Sequence, residues 1–113
     1  MYKSIDFSKY SGLGNNFIII NCLKLTEGVL NKLLHQKSIG ILCDRNFGIG
    51  ADGVIYLMNS NISDHVKMRI FNSDGTEAEM CGNGIRCLIK FVTESNDSHN
   101  NKEISVQVLY GCC

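Results

Sequence analysis

Residues 78–91 read AEMCGNGIRCLIKF, with Cys81 directly before Gly82-Asn83-Gly84 and those three directly before an apolar run. A thiol at a helix start faces unpaired N–H groups and the positive end of the helix dipole, and both favour the thiolate. Glycines at 82 and 84 remove the side chains that would hold a ligand away from the backbone, so the same N–H groups can also receive a carboxylate or phosphate. The stretch therefore offers a reactive thiol beside an anion cradle. On residue types alone it reads equally as a small core cysteine closed by a glycine turn.

Two more glycine-rich segments, SGLGNNF (11–17) and FGIGADG (47–53), match no phosphate-binding pattern, and GxxxxGK[ST] occurs nowhere, which disfavours a nucleotide site. Three Gly/Asn-rich turns in so short a chain do suggest a site assembled from loops. Asn15, Asn16, Asn72 and Asn83 supply uncharged amide donors and acceptors, suited to orienting a zwitterion. Histidine chemistry has no support: His35 falls on the polar side of the first expected helix, and His65 and His99 fall in polar loops. Cys22, Cys43 and Cys87 lie in apolar context and read as core, while Asp44-Arg45 reads as a cap or a surface pair. No metal site is expected, because Cys81 and Cys87 stand about 240° apart around a helix and no C-x-x-C or H-x-x-x-H spacing occurs.

The elements that must position these residues follow from hydrophobic period. Runs at 4–10, 17–23, 54–58, 67–71 and 103–109 are rich in β-branched and aromatic residues and read as strands, with Asp74-Gly75 as a hairpin signal after the fourth. Two helices are expected. The first covers about 27–37, with Thr26 as N-cap and Val29, Leu30, Leu33 and Leu34 on one face. The second runs over about 83–92, where only Arg86 and Lys90 interrupt the apolar surface, so it should be nearly surrounded. Residues 93–102 are polar and read as a loop.

With 113 residues, the chain is expected to form one small domain. Eleven basic residues balance eleven acidic ones and no basic stripe occurs, so neither nucleic acid nor an acidic membrane is an expected partner. The opening MYKSIDFSKYSG has neither a signal-peptide core nor an Arg-rich transit pattern, and no apolar run approaches the roughly 20 residues of a membrane span, which predicts a cytoplasmic location. Six cysteines without a secretory signal, in a chain 44% hydrophobic, read as reduced thiols and not as a disulfide framework.

FSKYSGLGNNF (7–17), LCDRNFGIGADG (42–53), RIFNSDGTEAEMCGNGIRC (69–87) and EISVQVLYG (103–111) resemble, in order and spacing, the N-terminal half of the diaminopimelate epimerase family. The resemblance covers nearly the whole chain. CGNGxR after an FNxDG hairpin is specific, since related racemases of the proline racemase type have CGH, with His where this chain has Asn83. It implies an α/β (α+β) fold, one half of the family's two-part architecture, with a curled, mostly antiparallel sheet around a central helix. Residues 1–113 would be a single N-terminal half-domain, with the second half absent.

The implied activity is cofactor-independent interconversion of LL- and meso-2,6-diaminopimelate, for lysine and peptidoglycan synthesis, by two cysteines on opposite faces of the α-carbon. Carried across by motif, Cys81 is one of that catalytic pair, Asn15 and Asn72 bind substrate, and Gly82 and Asn83 lie at its carboxylate. The resemblance implies no metal and no cofactor, a small-molecule partner, and a homodimer for the full-length enzyme. Ser11 stands where many members have His, Asn16 where Asp is usual, and Gly53 where some have Gln. Cys112 and Cys113 do not match the second cysteine's motif, so this chain alone is expected to be inactive. The alternative is a truncated, non-catalytic remnant serving as a binding or assembly module.

Overall fold

The computed structural model describes residues 5–12, 14–61, 65–78, 82–95 and 105–108. Two strands form the centre of a six-stranded mixed sheet: β2 (Asn15–Asn21) and β3 (Gly53–Asn59), paired in parallel with Ile18 opposite Val54. Their continuous apolar runs fit strands buried on both faces. Outside them β1 (Ser8–Gly12) pairs antiparallel with β2, and β4 (His65–Asn72) pairs antiparallel with β3. The far edge of β4 is shared by two short strands. β5 (Glu77–Ala78) pairs antiparallel with Ile70 and Phe71, and β6 (Ser105–Val108) pairs in parallel with His65–Met68. Most pairings are antiparallel, as expected, and the sheet stays open.

Side-chain alternation divides the core into two layers. Ile18, Ile20, Val54, Tyr56 and Phe71 pack with Ile39, Cys43 and the partly buried Leu30, Leu33 and Leu34, which belong to α1 (Glu27–Leu33), α2 (Gln36–Cys43) and the short link between them. On the other face Phe17, Ile19, Ile55, Met68 and Ile70 pack with Cys87 and Leu88 of α3 (Gly82–Ser95). Helices therefore cover both faces of one sheet. Cys22, Cys43 and Cys87 are buried free thiols, as their apolar context suggested.

Several expectations need correction. The single helix over 27–37 is two: Thr26 caps α1 as expected, but the helix stops at Leu33, and His35 begins a new one by accepting the Lys37 N–H on Nδ1 at 3.2 Å. His65 opens β4 instead of lying in a loop, and α3 extends through Ser95. β1 runs later than the 4–10 stretch, because its register follows the pairing of Gly12 with Asn15. Nor is α3 nearly surrounded: Cys87 and Leu88 are buried, but Ile89 is 51% exposed and Arg86 and Lys90 face water. Packing against one sheet face selects one stripe of the helix and leaves the opposite stripe open.

Candidate functional site

Residues Asn15 and Gly53 begin the two parallel central strands, and Asn72 ends the antiparallel neighbour, so all three fall at the same end of the sheet. They also share a face. Asn15 precedes Phe17, Gly53 precedes Ile55, and Asn72 follows Ile70 by two residues each, and those three apolar residues belong to the layer that packs on α3. In register, Gly53 stands between Phe17 and Asn72. A Cβ on Gly53 would lie 2.6 Å from the Phe71 carbonyl oxygen and 3.3 Å from the Phe17 ring.

α3 packs on that face of the sheet through Cys87 and Leu88. Phe91 lines one groove of about 220 Å³ with Ser8, Ile19 and Asn21, which places the later part of α3 beside the start of β1 and the end of β2. Tyr10 fixes it there: its hydroxyl donates to Glu94, its ring meets Phe91 edge to face at 6.2 Å, and Lys90 Nζ lies 5.7 Å from its centroid. The hydrogen bond to Glu94, more than burial, pushes the Tyr10 phenol up to about 12. Gly82 and Asn83 are the first residues of α3, and Phe91 falls in its later half.

The hairpin after β4 shapes the Asn72 side. The Asn72 N–H donates to the Thr76 carbonyl at 2.8 Å, and its side-chain amide donates to Thr76 Oγ1 at 3.1 Å. Asp74 Oδ1 accepts both the N–H of Thr76 at 2.9 Å and its hydroxyl at 2.6 Å, which holds the Asp74 carboxyl below its ordinary range. Gly75, the tip, has φ 90°, and a side chain there would meet the Gln36 backbone, so the glycine is required by conformation and by space. β5 is held by a bidentate pair from Arg69 to Glu77, at 3.0 and 2.6 Å, with the guanidinium 5.0 Å from the Phe71 ring centroid.

Of the residues expected to form the site, Asn15 and Asn72 fall at one end of the sheet, Gly82 and Asn83 open α3, and Cys81, the residue before α3, lies outside the described residues together with His99, Cys112 and Cys113. Asp44-Arg45 serves both of its alternatives. Asp44 caps α2 and accepts the N–H groups of Asn46 and Phe47, which lowers its pKa, while Arg45 pairs with Asp52 at 2.9 Å. Sequence reasoning passed over Asp52, which accepts the Asn16 N–H at 2.7 Å on its other oxygen. A carboxylate between a glycine-rich loop and a strand was the available signal. Among the described residues no cluster of three or more His, Cys, Asp or Glu could hold a metal ion, and no helix is long and apolar enough to cross a membrane.

Comparison with known proteins places the chain in a family. The solved structure of a PhzC/PhzF-type phenazine biosynthesis protein from Clostridium difficile (strain 630) superposes with a TM-score of 0.54 over 92% of this chain and 36% of that one, at 12% identity, which shows a shared fold. Diaminopimelate epimerase of Prochlorococcus marinus (strain NATL1A) is 48% identical over 94% of this chain, and that of Trichodesmium erythraeum (strain IMS101) 51% identical over 86%. The matches take up 37% and 34% of those proteins, so the chain spans about a third of the length of its relatives. The model of the family described as diaminopimelate epimerase matches residues 7–112. With the fold shared and nearly every residue matched, the chain belongs to the diaminopimelate epimerase family.

Proposed function

We propose that this chain supplies one face of a site that interconverts LL- and meso-2,6-diaminopimelate, with Cys81 as one of two acid/base cysteines. The supporting observation is the gathering of Asn15, Gly53 and Asn72 at one sheet end, on the face that packs on α3, the helix whose glycine-rich first turn directly follows Cys81. An ordinary thiol pKa near 8.5 lets one residue act as base in one direction and acid in the other. An α-proton is far less acidic than a thiol, so the carbanion needs fixed donors. The open N–H groups at the start of α3, with the amides of Asn15 and Asn72, are suited to gripping the α-carboxylate and orienting the zwitterion.

Inversion needs acid and base on opposite faces of one carbon. Cys81 serves one face, and the opposing cysteine belongs to the length of the relatives that this chain does not match. The product would feed lysine and peptidoglycan synthesis in the cytoplasm, and the full-length assembly would be a homodimer. A second reading is a non-catalytic binding or assembly module.

The test joins this chain to the unmatched remainder of the Prochlorococcus marinus relative and incubates it with the LL isomer in deuterium oxide. The joined protein should give meso product and α-deuterium and lose inversion with Cys81→Ala, whereas the 113-residue chain should give no meso product. Inversion that survives Cys81→Ala would remove the cysteine from the mechanism. A joined protein that folds but forms no product would favour the non-catalytic reading.

A further inference from the structure

Both carboxylate oxygens of Asp52, the residue before β3, are engaged: Oδ1 accepts from Arg45 at 2.9 Å and Oδ2 accepts the backbone N–H of Asn16 at 2.7 Å. The Asp52 N–H donates in return to the Asn16 carbonyl at 2.9 Å, closing a ring between the loop before β3 and the start of β2. Asn16 also receives the Ser11 hydroxyl on its side-chain oxygen, which carries the network across to β1. A bond from an N–H to a carboxylate is about twice as strong as one between neutral groups. The Arg45 pair is exposed and adds little energy, but it aims the carboxylate.

This network lies behind the site. Asn16 precedes Ile18 by two and so faces the α1/α2 layer, whereas Asn15, one residue earlier, faces α3. Fixing the peptide of Asn16 from the rear fixes the backbone from which Asn15 projects at the front. We propose that Asp52 is a positioning residue that, through the backbone of Asn16, sets where Asn15 meets the substrate. The positioning step stands on the Asn16–Asp52 contact, and the substrate step rests on the function proposed above.

Amide hydrogen exchange and the side-chain NH2 resonances of Asn15, followed by NMR in the 113-residue chain, test the first step without ligand. Asp52→Ala should speed exchange at Asn16 at least about tenfold and shift the Asn15 side-chain signals, with Ile19 in the core unchanged. Asp52→Asn keeps a carbonyl acceptor and should restore protection to within about threefold of the parent. Unchanged exchange and Asn15 signals in Asp52→Ala, or an equal loss in Asp52→Asn, would overturn the proposal. Should the alanine variant not fold, Asp52→Ser, too short to span to Asn16, takes its place. Titration of diaminopimelate into the same samples separates the two steps. Binding about tenfold weaker in Asp52→Ala at unchanged Tm is the expected result, equal binding would overturn the substrate step, and no binding by the parent would sink the substrate reading while the exchange data still decide the positioning.

Discussion

Gly53 lies so close to Phe71 on the neighbouring strand that a Cβ at 53 would stand 2.6 Å from the Phe71 carbonyl oxygen. That oxygen belongs to the backbone of β4 and cannot rotate away, so Gly53→Ala must separate β3 from β4 or push on the Phe17 ring. The expected cost is about 1–3 kcal/mol in a urea melt. Gly28→Ala is the control: nothing lies within 4 Å of its Cβ position in α1, and alanine there should be neutral or stabilise by up to about 1 kcal/mol. Equal losses in the two variants would show that the close approach at Gly53 is not what matters.

Leu88 and Ile89 are neighbours in α3 with opposite fates, 1% and 51% exposed. Leu88→Ala removes buried methyl groups from the layer shared with Phe17, Ile19 and Ile55 and should cost about 2–5 kcal/mol. Ile89→Ala should cost less than about 1 kcal/mol. Denaturant midpoints of the two variants measure the difference, and a large loss at Ile89 would mean that its face of α3 is covered in solution.

The contrast marks what a sequence pattern carries. Strand centres were legible because runs such as Ile18–Ile20 and Val54–Leu57 are short and rich in β-branched and aromatic residues, and Thr26 announced α1 through its hydroxyl. α2 was not legible: His35 is an uncommon cap, and Ile41, an apolar residue left 65% exposed, blurs the stripe made by Ile39 and Cys43. At the site, Asn15 and Asn72 could be picked out as residues, but their meeting around Gly53 depends on a parallel β2–β3 pairing and an antiparallel β3–β4 pairing. Such register is long-range information. The same holds for Asp52, whose partner Asn16 lies across the crossover through α1 and α2.

Alkaline pH should weaken the fold through its buried thiols. Burial pushes Cys22 from 9.0 up to about 11. Cys43 and Cys87 move the same way, with burial again the main cause, reinforced for Cys43 by Asp52 and opposed by Arg45 and Lys90 respectively. The folded state favours the neutral thiol, so this stability is whole below the ordinary value and is lost as pH rises from 9.0 through about 11. Urea melts across that window should show a falling midpoint, with a shallower fall in Cys22→Ala. A midpoint independent of pH would show that these thiols open to water before they ionise.

The same burial separates the cysteines by reactivity. Cys22, Cys43 and Cys87 are at most 4% exposed, and their thiols are held neutral. Cys81 immediately precedes Gly82, where α3 begins, and unpaired N–H groups at such a start favour a thiolate. Iodoacetamide at neutral pH should therefore label Cys81 well before the three core thiols, with Cys112 and Cys113 as controls for simple access. Peptide mapping by mass spectrometry against time gives the order, and repeating it across pH gives the apparent pKa of each thiol. Labelling of Cys22 or Cys87 ahead of Cys81 would refute the helix-start account of its acidity. An apparent pKa for Cys81 equal to that of Cys112 and Cys113 would do so as well, since access without a lowered pKa would then explain its rate.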